Sequence, residues 1–196
     1  MTWVWYLTPD DGFPEVEMDY EASTPLYSSI EFDNPKIFPP IQRPVFKTRG
    51  NLKKFLAKHC PPIGTDPVVD ATWRKIIENF APKESVDFLP VQLSARDGMT
   101  EEFSWVICFD CVECIDIKRS KIKNEVLGPD SHTLFEVEQY VHLKDCLGDK
   151  HIARDVRNPK HIVISDELRD ALAATGEFTM FYRPKDVPPI FGLNTI

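Results

Sequence analysis

Val86-Asp-Phe-Leu-Pro-Val-Gln-Leu-Ser-Ala-Arg-Asp-Gly-Met-Thr-Glu-Glu-Phe-Ser-Trp-Val-Ile-Cys-Phe-Asp-Cys-Val-Glu-Cys-Ile-Asp-Ile117 is the stretch that decides the fold. Val86 to Leu93 reads as a strand, and Ala95-Arg96-Asp97-Gly98 supplies an Asp-Gly turn. The run from Phe103 to Ile117 is rich in β-branched and aromatic residues, which suit a pleated surface, and contains neither Gly nor Pro. The spacing therefore predicts a hairpin whose second strand is long and ends near Ile117.

Downstream, Leu134 to Leu143 and His151 to Arg154 read as two further strands, split by Leu147-Gly148-Asp149. His161-Ile-Val-Ile-Ser165 is another, with Ser165 placed to cap a helix whose inner face is Leu168, Ala171, Leu172 and Thr175. Gly176 stops that helix, and Phe178 to Tyr182 makes a closing strand before Pro184. Upstream, Trp3 to Leu7 is a first strand. Leu52, Phe55, Leu56 and His59 share one face of a short helix that Pro61-Pro62 ends. Asp70 caps a second helix whose buried face is Trp73, Ile76, Ile77 and Phe80, with Pro82 beyond it. The prolines between residues 24 and 48 predict extended edge segments. Strands grouped together with about three short helices point to an α+β fold built on a mostly antiparallel sheet. The chain divides into an acidic, Pro-rich region over 1–67, a main domain over 68–184 and a tail over 185–196.

Composition fits an ordinary globular protein: of 196 residues, 42% are hydrophobic and 28% charged. No stretch approaches the roughly 18 apolar residues of a membrane span, so no membrane partner is expected. Met1 to Leu7 has neither a basic start nor a cleavage site, so we expect no signal peptide and a cytoplasmic chain. Charge is unevenly spread. The formal net charge is −8, and residues 1–35 hold eight acids with no Lys or Arg: Asp10, Asp11, Glu15, Glu17, Asp19, Glu21, Glu31 and Asp33. The rest of the chain is neutral. It lacks the basic stripe that a phosphate backbone requires, so no nucleic-acid partner is expected. An acidic segment on a neutral body either keeps the chain soluble or meets a basic partner. Phe13, Tyr20 and Tyr27 lie among these acids, and aromatics inside a charged rim match the anatomy of a binding hot spot. The candidate partner-binding residues are Asp10, Asp11, Phe13, Glu15, Glu17, Asp19, Tyr20 and Glu21.

Five cysteines are present: Cys60, Cys108, Cys111, Cys114 and Cys146. An odd count without a secretory signal predicts reduced thiols. The run Cys108-Phe-Asp-Cys111-Val-Glu-Cys114 has a spacing that suggests zinc or an iron–sulfur cluster. On one continuous strand, however, Cys111 points away from Cys108 and Cys114. We therefore read structural thiols, with neither metal nor cofactor.

Catalytic motifs are scarce. The sequence has no Gly-rich phosphate loop, dinucleotide fingerprint, His-Glu-x-x-His pair or Gly-x-Ser-x-Gly elbow. Asp116-Ile-Lys118 resembles half of a metal-dependent nuclease site, which would need Asp87 or Asp97 as a second acid. Asp149, His151 and Asp155 lie close enough in sequence to suggest a metal or acid–base cluster. Ordinary surface charge explains both, and no catalytic or metal residue is assigned.

Phe88-Leu-Pro-Val-Gln-Leu93, Asp97-Gly98, and Trp105 to Asp116 with Ser120 resemble an immunity protein family of bacterial polymorphic toxin systems, the one numbered eleven. His151-Ile-Ala-Arg154, Ile162 to Leu168, Gly176 and Phe181-Tyr-Arg-Pro184 continue the likeness, which covers about residues 68–184. The three clustered cysteines depart from it. The resemblance implies a non-enzymatic protein that binds and neutralises a toxin by occluding it. The acidic segment is the place where we expect a basic toxin to dock. The alternative is a nuclease-like enzyme using Asp116 and Lys118.

Overall fold

The computed structural model describes residues 1–7, 12–23, 44–63, 66–127, 133–177 and 180–187. Its elements, in chain order, begin with β1 (Thr2–Trp5), β2 (Val16–Met18), α1 (Tyr20–Ser23), β3 (Val45–Thr48), α2 (Leu52–Leu56), β4 (Val68–Asp70) and α3 (Ala71–Phe80). The hairpin β5 (Val86–Ala95) and β6 (Gly98–Cys108) follows, then β7 (Cys111–Val112), β8 (Lys121–Leu127) and β9 (Thr133–Gln139). The chain closes with β10 (Ile152–Asp155), β11 (Asn158–Ser165), α4 (Asp166–Ala173), β12 (Phe181–Tyr182) and a 3-10 turn over Pro184–Asp186. The fold is α+β, mostly antiparallel, with few short helices. One sheet runs β12-β1-β11-β10-β7 and a second β2-β3-β5-β6-β4, with β8-β9 as a separate ribbon. Only β3 with β5 and β10 with β7 pair in parallel among the described residues.

The β5–β6 hairpin is the centre, and its apolar run is explained by burial on both faces. Val106 and Cys108 face one cluster with Trp5, Trp73, Ile77, Ile162, Ile164, Leu168 and Leu172. Phe103, Trp105 and Ile107 face another with Phe46, Phe55, Ile63, Val91 and Leu93. Both strand faces are therefore apolar, which is why alternation is lost. Gly98 holds φ of +145° at the turn, a backbone geometry that an L side chain resists. The two longer helices start where their caps require. Asp70 accepts from the Thr72 and Trp73 amides at 3.0 and 2.9 Å, and Ser165 from the Leu168 amide at 3.2 Å. Trp73 of α3 donates Nε1 to Thr175 Oγ1 at 2.9 Å, tying α3 to the end of α4.

Four expectations need correction. β6 does not reach Ile117. It ends at Cys108 because its partner begins at Val86, opposite Cys108, and a strand without a ladder has unpaired amides. The chain then crosses to the other sheet, where Cys111 and Val112 pair with Arg154 and Asp155. Second, Cys114 and Cys146 are not thiols but a disulfide, with Cα atoms 4.9 Å apart. Pairing across 32 residues depends on tertiary placement, which spacing does not reveal. Third, β3 is not an edge segment. It lies between β2 and β5, and Val45–Thr48 contains no proline to block either ladder. Fourth, α2 ends at Leu56, whose side chain is exposed, and His59 lies beyond the helix with Nδ1 2.8 Å from Asp70 Oδ2. β2, β4, β8 and the short α1 were not foreseen. Most of the Pro-rich stretch, residues 24–43, and the tail beyond residue 187 lie outside the described residues.

Candidate functional site

The acidic segment is laid against β3 by a series of local contacts. Phe13 sits edge-on to Phe55 with ring centres 5.0 Å apart. Pro14 packs over Gly50 so closely that a Cβ there would lie 2.4 Å from its ring. Thr48 Oγ1 donates to the Glu15 carbonyl at 2.8 Å, and Val16, Glu17 and Met18 pair with Thr48, Lys47 and Phe46. Asp19 opens α1. It accepts from the Ala22 amide at 3.2 Å and pairs with Lys47, and this pairing holds its carboxyl below the usual range. Ser23 is buried, its Oγ accepting from the Val45 amide at 2.9 Å.

The eight candidate residues thus separate by what the fold asks of them. Phe13 and Asp19 are used internally, as packing and as a cap. Glu15, Glu17, Tyr20 and Glu21 are exposed, Tyr20 with 68% of its surface open. Asp10 and Asp11 lie outside the described residues.

Beside Tyr20 the segment walls a groove of about 540 Å³. β2 forms one side, Phe46, Ile63 and Trp105 contribute apolar surface, and Asp66 lines it from the loop before β4. Asp66 is held from behind by Arg154, a buried side chain of β10, with Nη1 to Oδ1 at 3.3 Å. Asp66, Trp105 and Arg154 were missed by the sequence reading. Only the crossing between sheets brings Arg154 here.

The other suspected clusters serve the fold. Asp155 is buried, and its two carboxylate oxygens accept four amides: Cys114 and Ile115 at 2.7 and 2.9 Å, Arg157 and Asn158 at 2.8 and 3.2 Å. It fixes both the crossover and the β10–β11 turn. His151 instead meets Ser165 Oγ at 2.9 Å and the Phe80 ring, so the sequence neighbours Asp149, His151 and Asp155 do not converge on one ligand. Asp116 accepts from the Lys118 and Arg119 amides at 3.1 and 3.2 Å and pairs with the Arg119 side chain at 3.0 Å. Its carboxylate is therefore a turn former. Asp97 accepts from the Leu52 amide at 2.9 Å and Asp87 from the Phe88 amide at 2.8 Å. Among the described residues, no three His, Cys, Asp or Glu side chains converge as metal ligands.

Further polar chemistry runs into the interior, from half-buried Thr2 and His142 to buried His161 and Tyr140. His142 and His161 meet Nε2 to Nε2 at 2.8 Å, Thr2 Oγ1 meets His142 Nδ1 at 2.9 Å, and Tyr140 stacks on His161. Burial holds His142 down at about 4, and burial together with the neighbouring His142 holds His161 well below the ordinary value. Burial also pushes the Tyr140 hydroxyl and the Cys108 thiol up to about 12 each. Both stay protonated, and a thiol so held is inert as a nucleophile. No described helix is long and apolar enough to cross a membrane.

Against known proteins, the family model described as Immunity protein family (Imm11) matches residues 44–185. No curated protein matches the chain.

Proposed function

The chain belongs to the Imm11 immunity protein family, and from that premise we propose that it neutralises a cognate antibacterial toxin in the cytoplasm by binding and occluding it, without chemistry of its own. The observation that carries this reading is the family match across residues 44–185. The geometry supports it. The clusters that could have been catalytic, at Asp116 and at Asp155, have their carboxylates engaged by backbone amides. Glu15, Glu17, Tyr20 and Glu21 instead face outwards.

The partner we propose is a toxin with a basic surface. The chain carries a formal net charge of −8, its excess acids lie within residues 1–35, and Glu15, Glu17 and Glu21 of these are exposed on this face. Such an asymmetry raises the encounter rate with a cationic partner and sets its orientation more than it sets final affinity. Toxins that act on nucleic acids need basic clefts, which an acidic face can cover. Nucleic acid and membrane are not partners in this reading.

The test looks for a toxin domain encoded in the adjacent reading frame and takes it as the partner. Co-expression with the wild-type chain should rescue growth. Conversion of Asp10, Asp11, Glu15 and Glu17 to Asn or Gln should slow association and flatten its dependence on salt. Equal association rates at low ionic strength would remove the acidic face from the interface.

A further inference from the structure

We infer that the groove beside Tyr20 receives one arginine or lysine side chain of the partner protein, an inference that rests on the neutralising role proposed above. Two surfaces of different chemistry meet there. Phe46, Ile63 and Trp105 present apolar surface, and Glu17 and Asp66 line the same space. A neutral aliphatic occupant would strip water from carboxylates and return no partner, and an acidic one would be repelled. A long side chain with an apolar stem and a cationic head satisfies both surfaces at once.

The charges already present leave this role open. Lys47 is paired with Asp19, and Arg154 with Asp66. Among the described residues, the contact of Arg154 with Asp66 is one hydrogen bond to Oδ1 at 3.3 Å. A carboxylate offers about four lone-pair sites, so Asp66 keeps capacity for a second cation while Arg154 holds it in place. Tyr20 stands at the mouth, 68% exposed, where its ring face can lie against a guanidinium. The volume, about 540 Å³, lies within the range of specific ligand pockets. The lining side chains come from β2, α1, β3 and β6, with Ile63 and Asp66 from the loop before β4, so the sheet contributes most of the wall.

The experiment titrates the full chain with N-acetyl-arginine methylamide at constant ionic strength and follows amide and indole signals by NMR. N-acetyl-citrulline methylamide, the same shape without the charge, is the control. The arginine probe should give saturable shifts at the Trp105 indole and the Met18 and Tyr20 amides, and the citrulline probe should not. Glu17→Gln and Tyr20→Ala, made singly, should each weaken the arginine probe several-fold while leaving the spectrum folded. Equal shifts from both probes, or none at the groove from the arginine probe, overturn the inference. If the probe fails at the groove but wild-type chain still captures the toxin and protects cells, the groove assignment falls and the neutralising role stands. If the probe binds as described but the chain neither captures the toxin nor protects, the neutralising role falls instead.

Discussion

The β2–α1 face and the seam around β10 are both rich in polar side chains, and they use them in opposite ways. On the face, Glu15, Glu17 and Tyr20 are exposed. In the seam, Asp155 is 1% exposed and its oxygens accept four backbone amides, while His142 and His161 bond to each other. Residue types that suggest chemistry in a sequence are concentrated in the seam, yet there they answer to the backbone. The bland acids on the face have capacity left for another molecule. The difference teaches that reactive residue types say little about a site until it is known whether the backbone has already spent their hydrogen-bonding capacity.

The sharpest way to break this contrast is Asp155→Ala. It orphans buried amides on two segments, and each unsatisfied donor costs about 1–3 kcal/mol, so a loss of about 4 kcal/mol or more is expected in urea unfolding. Asp155→Asn, which keeps one acceptor oxygen, should recover part of it. A near-wild-type Asp155→Ala would show that the seam is not structural.

Next comes the disulfide. Cys114→Ser with Cys146→Ser opens a closure spanning 32 residues, worth roughly 3.5 kcal/mol by the loop-entropy relation. Reductant should destabilise the wild type by a similar amount and leave the double variant unchanged. Cys60→Ala and Cys108→Ala, which remove buried thiols, should each cost about 1 kcal/mol. Equal losses from the two classes would deny the cross-link its role.

Acid probes the histidine pair. The folded His142 value, about 4, lies below the ordinary 6.5, so the unfolded chain takes up the proton first. Stability from this group is therefore complete above pH 6.5 and is lost as pH falls towards 4. At pH 5 the loss from His142 alone is about 2 kcal/mol, and His161, displaced in the same direction, adds to it. His142→Asn should flatten the pH dependence of the melting temperature between pH 7 and 5. A variant that melts in parallel with wild type across that range would exclude His142 as an acid-sensitive element.

The smallest effect on stability belongs to the face itself. The variant with Asp10, Asp11, Glu15 and Glu17 neutralised should melt like wild type, because Glu15 and Glu17 are exposed and exposed charges contribute little to stability. Thermal melting beside the association rates checks this. Marked destabilisation would mean that these acids serve the fold after all.

What could be read from the sequence follows from how local each signal is. Asp70 and Ser165 cap helices through amides two or three residues away, and Asp97-Gly98 turns a hairpin on itself. Those elements were legible. The end of β6 at Cys108 was not, because it is set by where β5 begins. The Cys114–Cys146 pairing and the hub at Asp155 join segments 32 and about 40 residues apart. β8 was missed because Lys121, Lys123, Asn124 and Glu125 give it a polar composition. Its strand character comes from pairing with β9, where Lys121 meets Glu138 and Lys123 meets Glu136. At the candidate site, the acids of β2 and α1 and the aromatic Tyr20 were legible from charge clustering. Asp66 and Trp105, which line the groove, and Arg154, which pairs with Asp66, were not, since three distant segments supply them.

β1 carries a consequence in the order of synthesis. It lies between β11 and β12, with Trp5 opposite both Ile162 and Phe181, although it precedes the span matched by the family model. β1 thus finds its sheet neighbours only in strands made much later along the chain. Over roughly 160 residues, at about 5–20 residues per second, that delay is on the order of ten to thirty seconds. Through that interval Trp3, Val4 and Trp5 have no sheet to enter, and the nascent chain cannot complete its first sheet. This sheet can therefore close only after residue 182 has been made, so its completion is a late step that follows most of synthesis.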